Sequence, residues 1–251
     1  MDIKVSFEDA VAIIAINRPE ARNAVNAAVA QGIADAVVEI ESRPDIRAAI
    51  LTGEGGTFCA GMDLKAFLRK EVMRFPDTGF AGFSTAKLAK PYIAAVEGYA
   101  LAGGFELALT CDFIVASETA SFGLPEVKRG LVANAGGMLR LPRQIPHRIA
   151  AELVMTGDMY KATQLAPYGL INRLVPEGQA LAAARELADK IIANGPLAIA
   201  TSKRILTEGV NWGEDMFERQ YEITAPVFTS EDAREGAAAF AEKRAPRWQG
   251  K

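Results

Sequence analysis

The feature that most constrains the fold is a short apolar run, followed by glycine-rich turns, that recurs along the first half of the chain. The runs cover residues 48–51, 92–96 and 113–116. Runs of this length, bounded by turn residues, are typical of strands buried on both faces of a parallel sheet. Their spacing is irregular, which excludes a fixed-period repeat. We therefore expect an α/β fold of successive ββα turns wound on one another.

Alternating polar and apolar residues predict two earlier strands, at 3–7 and 11–16. Asn26 can cap the helix that follows, because the apolar residues after it recur at helical spacing. Residues 70–85 carry the weakest pattern and contain a turn signal at 76–79. We expect this segment to be a loop over a pocket.

From about Arg148 onward the pattern is mostly helical, most clearly at 181–192 and 196–206. We predict two regions on this basis. Residues 1–195 form a spiral core that carries the functional site, and residues 196–251 form a helical C-terminal region.

Charge and hydropathy exclude some classes of function. A net charge of −3 provides no basic field for nucleic acid. The N-terminus lacks a signal-peptide pattern, and no segment has the length of an apolar membrane span. The sequence predicts a cytoplasmic protein with no membrane or nucleic-acid partner.

Several reactive or charged residues favour a plain structural interpretation. Cys59 and Cys111 lie in apolar surroundings without metal-ligand spacing, so we expect two buried free thiols and no metal site. His147 is the only histidine and is expected in a surface loop, which excludes a catalytic triad. Arg140 and Arg143 could reach a neighbouring subunit, but solvent is the preferred expectation for both.

Two glycine turns, at residues 58–65 and 98–107, each lead into a helix. A helix start presents backbone N–H groups without intrahelical partners. Two such turns side by side could aim one N–H each at a single oxygen and form an oxyanion hole. At this point a second interpretation stays open, in which Gly103 and Gly104 only permit close packing of strand and helix.

Two glutamates lie in apolar surroundings, where an ionised carboxylate is costly to bury. Glu106 belongs to the apolar helix 105–109, and Glu126 follows the apolar segment 122–125. In one dry pocket, burial and mutual repulsion would leave one carboxyl protonated and the other ionised near neutrality. Adding water to a conjugated thioester requires such a pair. Their separation along the sequence does not show that they meet.

Together these motifs resemble the enoyl-CoA hydratase/isomerase (crotonase) superfamily, and the resemblance covers nearly the whole chain. It implies a spiral of ββα units and a helical C-terminal region that packs trimers, often paired into hexamers. It also implies an acyl-CoA thioester substrate, with no cofactor beyond the CoA that the substrate carries. The matching segments are residues 17–24, 58–65, 98–107, 122–126, 135–137 and 239–244.

The resemblance assigns roles to individual residues. It places the two oxyanion-hole N–H groups at Met62 and Gly103, the main water-orienting base at Glu106 and the main proton donor at Glu126. In the family, other positions contact CoA within one subunit, and tail positions reach the CoA of a neighbouring subunit. The first group corresponds to Arg22, Ala60, Leu64 and Lys65, and the second to Phe240 and Lys243.

The sequence departs from the usual family pattern at residues 133–134, where Ala-Asn replaces Pro-Gly and can bring an amide into the pocket. The segments 69–83, 104–106, 139–142 and 246–248 resemble the carnitinyl-CoA dehydratase branch.

The resemblance implies an enoyl-CoA hydratase, a carbon–oxygen lyase. Another reaction of the superfamily stays open, either dehydration of a polar β-hydroxyacyl-CoA such as carnitinyl-CoA or isomerisation of an enoyl-CoA. A non-catalytic protein that binds acyl-CoA or RNA is the alternative of another class.

Overall fold

The computed structural model describes all residues from Met1 to Lys251. It has a main sheet, a small second sheet, a two-stranded hairpin and helices on both sides of the main sheet. The strands are β1 Ile3–Glu8, β2 Val11–Ile16, β3 Ala48–Gly53, β4 Arg74–Phe75, β5 Gly79–Phe80, β6 Tyr92–Val96, β7 Tyr99–Leu101, β8 Phe113–Ser117, β9 Ser121–Gly123, β10 Tyr160–Lys161 and β11 Arg173–Val175. The helices are α1 Ala27–Ser42, α2 Leu64–Leu68, α3 Gly103–Thr110, α4 Gly137–Gln144, α5 His147–Thr156, α6 Ala162–Leu165, α7 Ala180–Ile192, α8 Pro196–Glu208, α9 Met216–Phe228 and α10 Glu231–Glu242.

The main sheet has six strands in the order β1-β2-β3-β6-β8-β11, and only β1 and β2 pair antiparallel. The three apolar runs found in the sequence are the central neighbours β3, β6 and β8. Nearly all their residues are buried because helices cover both faces of the sheet. The predicted α/β class is confirmed.

The second sheet has the order β10-β9-β7, with β7 parallel to β9. The sequence analysis assigned β7 to a glycine turn and did not predict it, because three residues are too short for a periodic signal. β7 matters for the site, since it connects the main sheet to α3.

The C-terminal half is mostly helical, as predicted, and α7 and α8 begin and end within two residues of the expected positions. The prediction missed β10 and β11, two very short strands that each add an edge to a sheet. The division at residue 195 stays a prediction. None of the helices combines the length and the apolar character needed to cross a bilayer.

The cysteines, the histidine and the two arginines of α4 were expected to have no role beyond structure or solvent exposure. Cys59 and Cys111 are buried free thiols, as predicted. His147 is exposed as expected, although it begins α5 rather than lying in a loop. Arg143 is exposed, but the prediction for Arg140 was wrong. Its guanidinium turns inward because backbone carbonyl groups there accept its hydrogen bonds.

Gly104, the second residue of α3, packs against the backbone at Cys59. A methyl group at this position would lie 2.1 Å from the Cys59 carbonyl oxygen, which cannot move without breaking the β7 pairing. The close-packing role considered for this glycine therefore holds, and it brings the two glycine turns together.

We expect Gly104→Ala to lower the free energy of unfolding by about 3 kcal/mol, because overpacking against backbone has no low-energy relaxation. Urea denaturation would measure the change. Gly213→Ala is the matched control, since its added methyl would meet nothing nearer than 3.8 Å. Equal stability of the two variants would contradict the packing argument.

Candidate active site

The two glycine turns lie side by side because β7 pairs with the first of them. The Cys59 N–H donates to the Tyr99 oxygen at 2.8 Å, and the Leu101 N–H donates to the Cys59 oxygen at 3.0 Å. Gly61 has a φ of +95°, which turns the chain directly after this pairing. A methyl group at Gly61 would lie 3.0 Å from the Gly103 nitrogen, so the two backbones touch.

Met62 and Gly103 both lie on the wall of one cavity. Neither residue's N–H donates a hydrogen bond within the protein. Ala102, the residue before α3, has a φ of 50° and a ψ of −129°, a conformation costly for any residue with a Cβ. Strain of this kind persists where the surrounding structure fixes it. Here it sets the direction of the first N–H of α3.

Asp63 fixes the helix that follows Met62. Its Oδ1 atom accepts hydrogen bonds from the Lys65 and Ala66 N–H groups at 2.9 and 3.1 Å. Arg18 donates to the other oxygen at 3.2 Å. Asp63 therefore caps the start of α2, and this network holds the Met62 turn in place.

Glu106 lies on α3 and is 3% exposed. Its Oε1 atom accepts hydrogen bonds from the Ala135 N–H at 2.7 Å and the Gly137 N–H at 2.8 Å. Burial raises the pKa of Glu106, while these two amides and the Arg140 guanidinium counteract the rise. The Oε2 atom has no partner in the protein, so it remains available to a ligand.

Glu126 lies in the 3-10 turn Pro125–Arg129, and its Oε2 atom is buried without any hydrogen-bond partner. Burial raises the pKa of Glu126 to about 7, and the nearby Glu106 carboxyl contributes to the rise. Glu106 and Glu126 line the same cavity as Met62 and Gly103. The structure thus brings together two carboxyls that the sequence separates.

The cavity has a volume of about 470 Å³, within the range of small-molecule sites. Four residues of the segment 70–85 line the cavity, so the segment lies over a pocket as expected, but it forms the β4–β5 hairpin and not a plain loop. Asn134, one of the two residues that depart from the family pattern, also reaches the wall. Large apolar residues on the wall include Phe67, Met73, Phe80, Leu131 and Val132.

The structure places the predicted CoA contacts in different locations. Arg22, Ala60 and Leu64 line the cavity, whereas Lys65 is exposed beside it. Phe240 and Lys243 are exposed at the end of α10 and line no part of this cavity within the chain.

The sequence analysis missed three charged residues on the wall, Glu71, Arg74 and Arg129. The first two belong to the segment of weakest pattern, and an arginine after Glu126 carries no signal of its own. Glu71 is already engaged, because its carboxylate accepts from Arg69 and from the Ala27 N–H. Arg74 donates to the backbone carbonyl oxygen of Asn134 at 3.2 Å and forms no ion pair.

The arrangement combines three chemical capacities in one cavity. Two free N–H groups can stabilise negative charge on a carbonyl oxygen. A carboxyl with a pKa near neutrality can donate a proton, and a second carboxyl, held by amides on one side only, can accept one. These capacities match proton transfer to and from a carbon next to a thioester or a similar carbonyl group.

Comparison with known proteins agrees with this chemistry. The family profile described as enoyl-CoA hydratase/isomerase matches residues 6–251. An enoyl-CoA hydratase of Mycobacterium tuberculosis is 45% identical over 94% of this chain and 92% of its own length. A carnitinyl-CoA dehydratase of Salmonella typhi is 44% identical over 95% of this chain and 94% of its own. A solved enoyl-CoA hydratase of M. tuberculosis has a TM-score of 0.98 and 55% identity, covering 100% of this chain and 99% of that one.

The buried carboxyl of Glu126 predicts a dependence of stability on pH. Its pKa rises from 4.5 to about 7 on folding, so the neutral form is favoured in the folded state. Its contribution to stability is complete below pH 4.5 and is lost as the pH rises through 7. We therefore expect Glu126→Gln to gain stability relative to the wild type between pH 5 and 8, as denaturation at several pH values would show.

The control is Glu177→Gln, which changes an exposed glutamate. Its stability difference from the wild type should stay nearly constant over the same range. A Glu126→Gln difference that is equally flat would show that this carboxyl keeps its ordinary pKa in the folded protein.

Proposed function

The chain belongs to the enoyl-CoA hydratase/isomerase family, and we propose that it is an enoyl-CoA hydratase, a carbon–oxygen lyase that adds water reversibly to a 2-enoyl-CoA thioester. The observation that carries the proposal is the convergence of Glu106 and Glu126 in one cavity beside the free N–H groups of Met62 and Gly103.

The backbone amides would act on the thioester. In the proposed complex the carbonyl oxygen accepts hydrogen bonds from the Met62 and Gly103 N–H groups. As water adds to the β-carbon, electrons of the double bond move toward the carbonyl and negative charge develops on that oxygen. Donors already aligned to this oxygen stabilise the transition state more than the ground state.

The two glutamates would divide the proton transfers. The free Oε2 of Glu106 accepts a proton from water while the water oxygen bonds to the β-carbon. Glu126, whose pKa of about 7 keeps a large protonated fraction at neutral pH, donates a proton to the α-carbon. The proton on Glu106 then returns to Glu126 through the pocket, which restores both groups. No further cofactor and no metal enters this sequence.

The alternatives differ in how well they fit the site. Isomerisation needs a single proton-transferring acid, so a second buried carboxyl favours hydration. Dehydration of a polar β-hydroxyacyl-CoA is the same reaction in the reverse direction. It is the second candidate function, because one relative is a carnitinyl-CoA dehydratase. Asn134 and Arg74 on the cavity wall favour an acyl group that carries a polar substituent.

We propose that the active form is a homotrimer or a dimer of trimers, acting in the cytoplasm without a nucleic-acid or membrane partner. Support comes from large apolar side chains that α9 and α10 leave exposed, namely Phe217, Tyr221, Phe228 and Phe240. Several large apolar side chains exposed on two neighbouring helices are typical of an interface. In such an assembly Phe240 and Lys243 would reach the CoA of a neighbouring subunit.

The direct test of the proposed hydratase activity measures the ultraviolet absorption band of a conjugated enoyl thioester, which is lost when water adds to the double bond. We expect the wild type to consume 2-enoyl-CoA, and mass spectrometry to show a product heavier by one water. Glu106→Gln and Glu126→Gln should each lower kcat by roughly 10²- to 10⁴-fold, since each removes one proton-transfer group. Glu177→Gln should keep the wild-type rate.

A panel of short, long, branched and cationic enoyl-CoA substrates, compared by kcat/KM, would assign the acyl group. An unchanged band with every substrate would refute the proposal. A product of unchanged mass with a shifted double bond would identify an isomerase instead.

The proposed contact between neighbouring subunits gives a separate prediction. We expect Lys243→Ala to raise KM for an enoyl-CoA about tenfold, the typical effect of losing one charged hydrogen bond. KM for the matching enoyl-pantetheine, which lacks the nucleotide, should not change. Lys190→Ala, at an exposed lysine on α7, is the control. Equal KM changes with both thioesters would exclude a nucleotide contact at Lys243.

A further inference from the structure

Arg140 on α4 is a partly buried cation close to the candidate site, yet it does not line the cavity. One guanidinium nitrogen donates to the Ala135 oxygen at 3.1 Å, and another donates to the Ser84 oxygen. It forms no ion pair within 4 Å. The side chain thus connects two backbone segments that both reach the cavity, the loop of residues 133–137 and the turn after Phe80.

The connection to Ala135 leads directly to the catalytic carboxyl. The Ala135 carbonyl accepts from Arg140, and the N–H of the same residue donates to Glu106 at 2.7 Å. The second amide that holds Glu106, the Gly137 N–H, begins the helix that carries Arg140. Gly136 lies between them with a φ of +110°, and a methyl group there would lie 1.9 Å from the guanidinium. The loop is therefore shaped around the arginine side chain.

We infer that Arg140 is a positioning residue, which holds the loop of residues 133–137 and through its two amides fixes the Glu106 carboxylate for the hydration reaction proposed above. The inference depends on that proposed function, but the structural connection does not. Arg140 acts through the loop rather than on substrate, because it lies behind the cavity wall.

The charge of Arg140 adds to this role. The charged groups around Glu106 are Arg140 on α4, Arg74 on β4 and Glu126 in the 3-10 turn. The two arginines favour the ionised form of Glu106, which is the form that accepts a proton from water. Removing Arg140 should raise the pKa of Glu106, so the acidic limb of the rate profile should move to higher pH.

The test compares Arg140→Gln, Arg140→Lys and the control Arg143→Gln, which changes an exposed arginine on the same helix. We expect Arg140→Gln to lower kcat roughly 10- to 100-fold, because a small misplacement of a catalytic group has an effect of this size. KM should change less than about threefold, since no substrate contact is lost. The acidic limb should move to higher pH.

Arg140→Lys separates charge from geometry. It keeps the cation but cannot hold two carbonyl groups in the fixed arrangement of a guanidinium. We expect Arg140→Lys to return the acidic limb of the rate profile to its wild-type pH, while kcat remains well below that of the wild type. Arg143→Gln should match the wild type in both readouts.

A measurement without turnover distinguishes failure of this inference from failure of the proposed reaction. Carbon-13 NMR of labelled glutamate side chains, assigned with Glu106→Gln, would follow the titration of Glu106 in the substrate-free protein. A raised pKa in Arg140→Gln supports positioning even if no enoyl-CoA is consumed. An unchanged titration together with a kcat within twofold of the control would overturn the inference. Loss of the folded state in both Arg140 variants would also overturn it, by making the residue a general stabilising element.

Discussion

The site depends on the burial of one carboxylate, because Glu106 loses its water and must receive hydrogen bonds from the protein instead. Ala135 and Gly137 supply two amide donors to Oε1, and no other protein group reaches the second oxygen. An ionised carboxylate without such donors would be neutralised by a large rise in pKa. The loop of residues 133–137 is therefore as much a part of the chemistry as the glutamate itself.

The second part of the site is the pair of N–H groups at Met62 and Gly103, and backbone contacts rather than side chains determine its geometry. The pairing of Cys59 with β7 and the close packing of Gly104 hold the two glycine turns together. Two amide N–H groups consequently face one cavity without partners of their own. Unpaired buried donors are unfavourable in a folded protein, and so is the backbone conformation of Ala102. The pairing of β7 with Cys59 and with β9 maintains both.

Much of this arrangement could be predicted from the sequence, and the limits have physical causes. The buried strands, the capped helices and the unusual position of Glu106 each leave a local pattern of residue types. The proximity of Glu106 and Glu126 leaves no local pattern in the sequence, because it depends on how distant turns of the chain pack. The donors to Glu106 are backbone groups, which any sequence possesses. Arg140 was assigned to solvent because an isolated arginine in a helix usually is exposed, and nothing local shows which carbonyl groups it will meet.

The division of labour proposed for the two glutamates rests on their different solvation and not on their chemical type. Glu106 receives two amide donors and a nearby guanidinium, which favour its ionised form. Glu126 has a buried oxygen without any donor, which favours its protonated form. Each group also influences the other, since an ionised Glu106 makes ionisation of Glu126 harder. In equal surroundings the two carboxyls would share one proton without either being fixed as the ionised member. The asymmetric supply of backbone donors is what favours Glu106 as the ionised member of the pair and Glu126 as the protonated one.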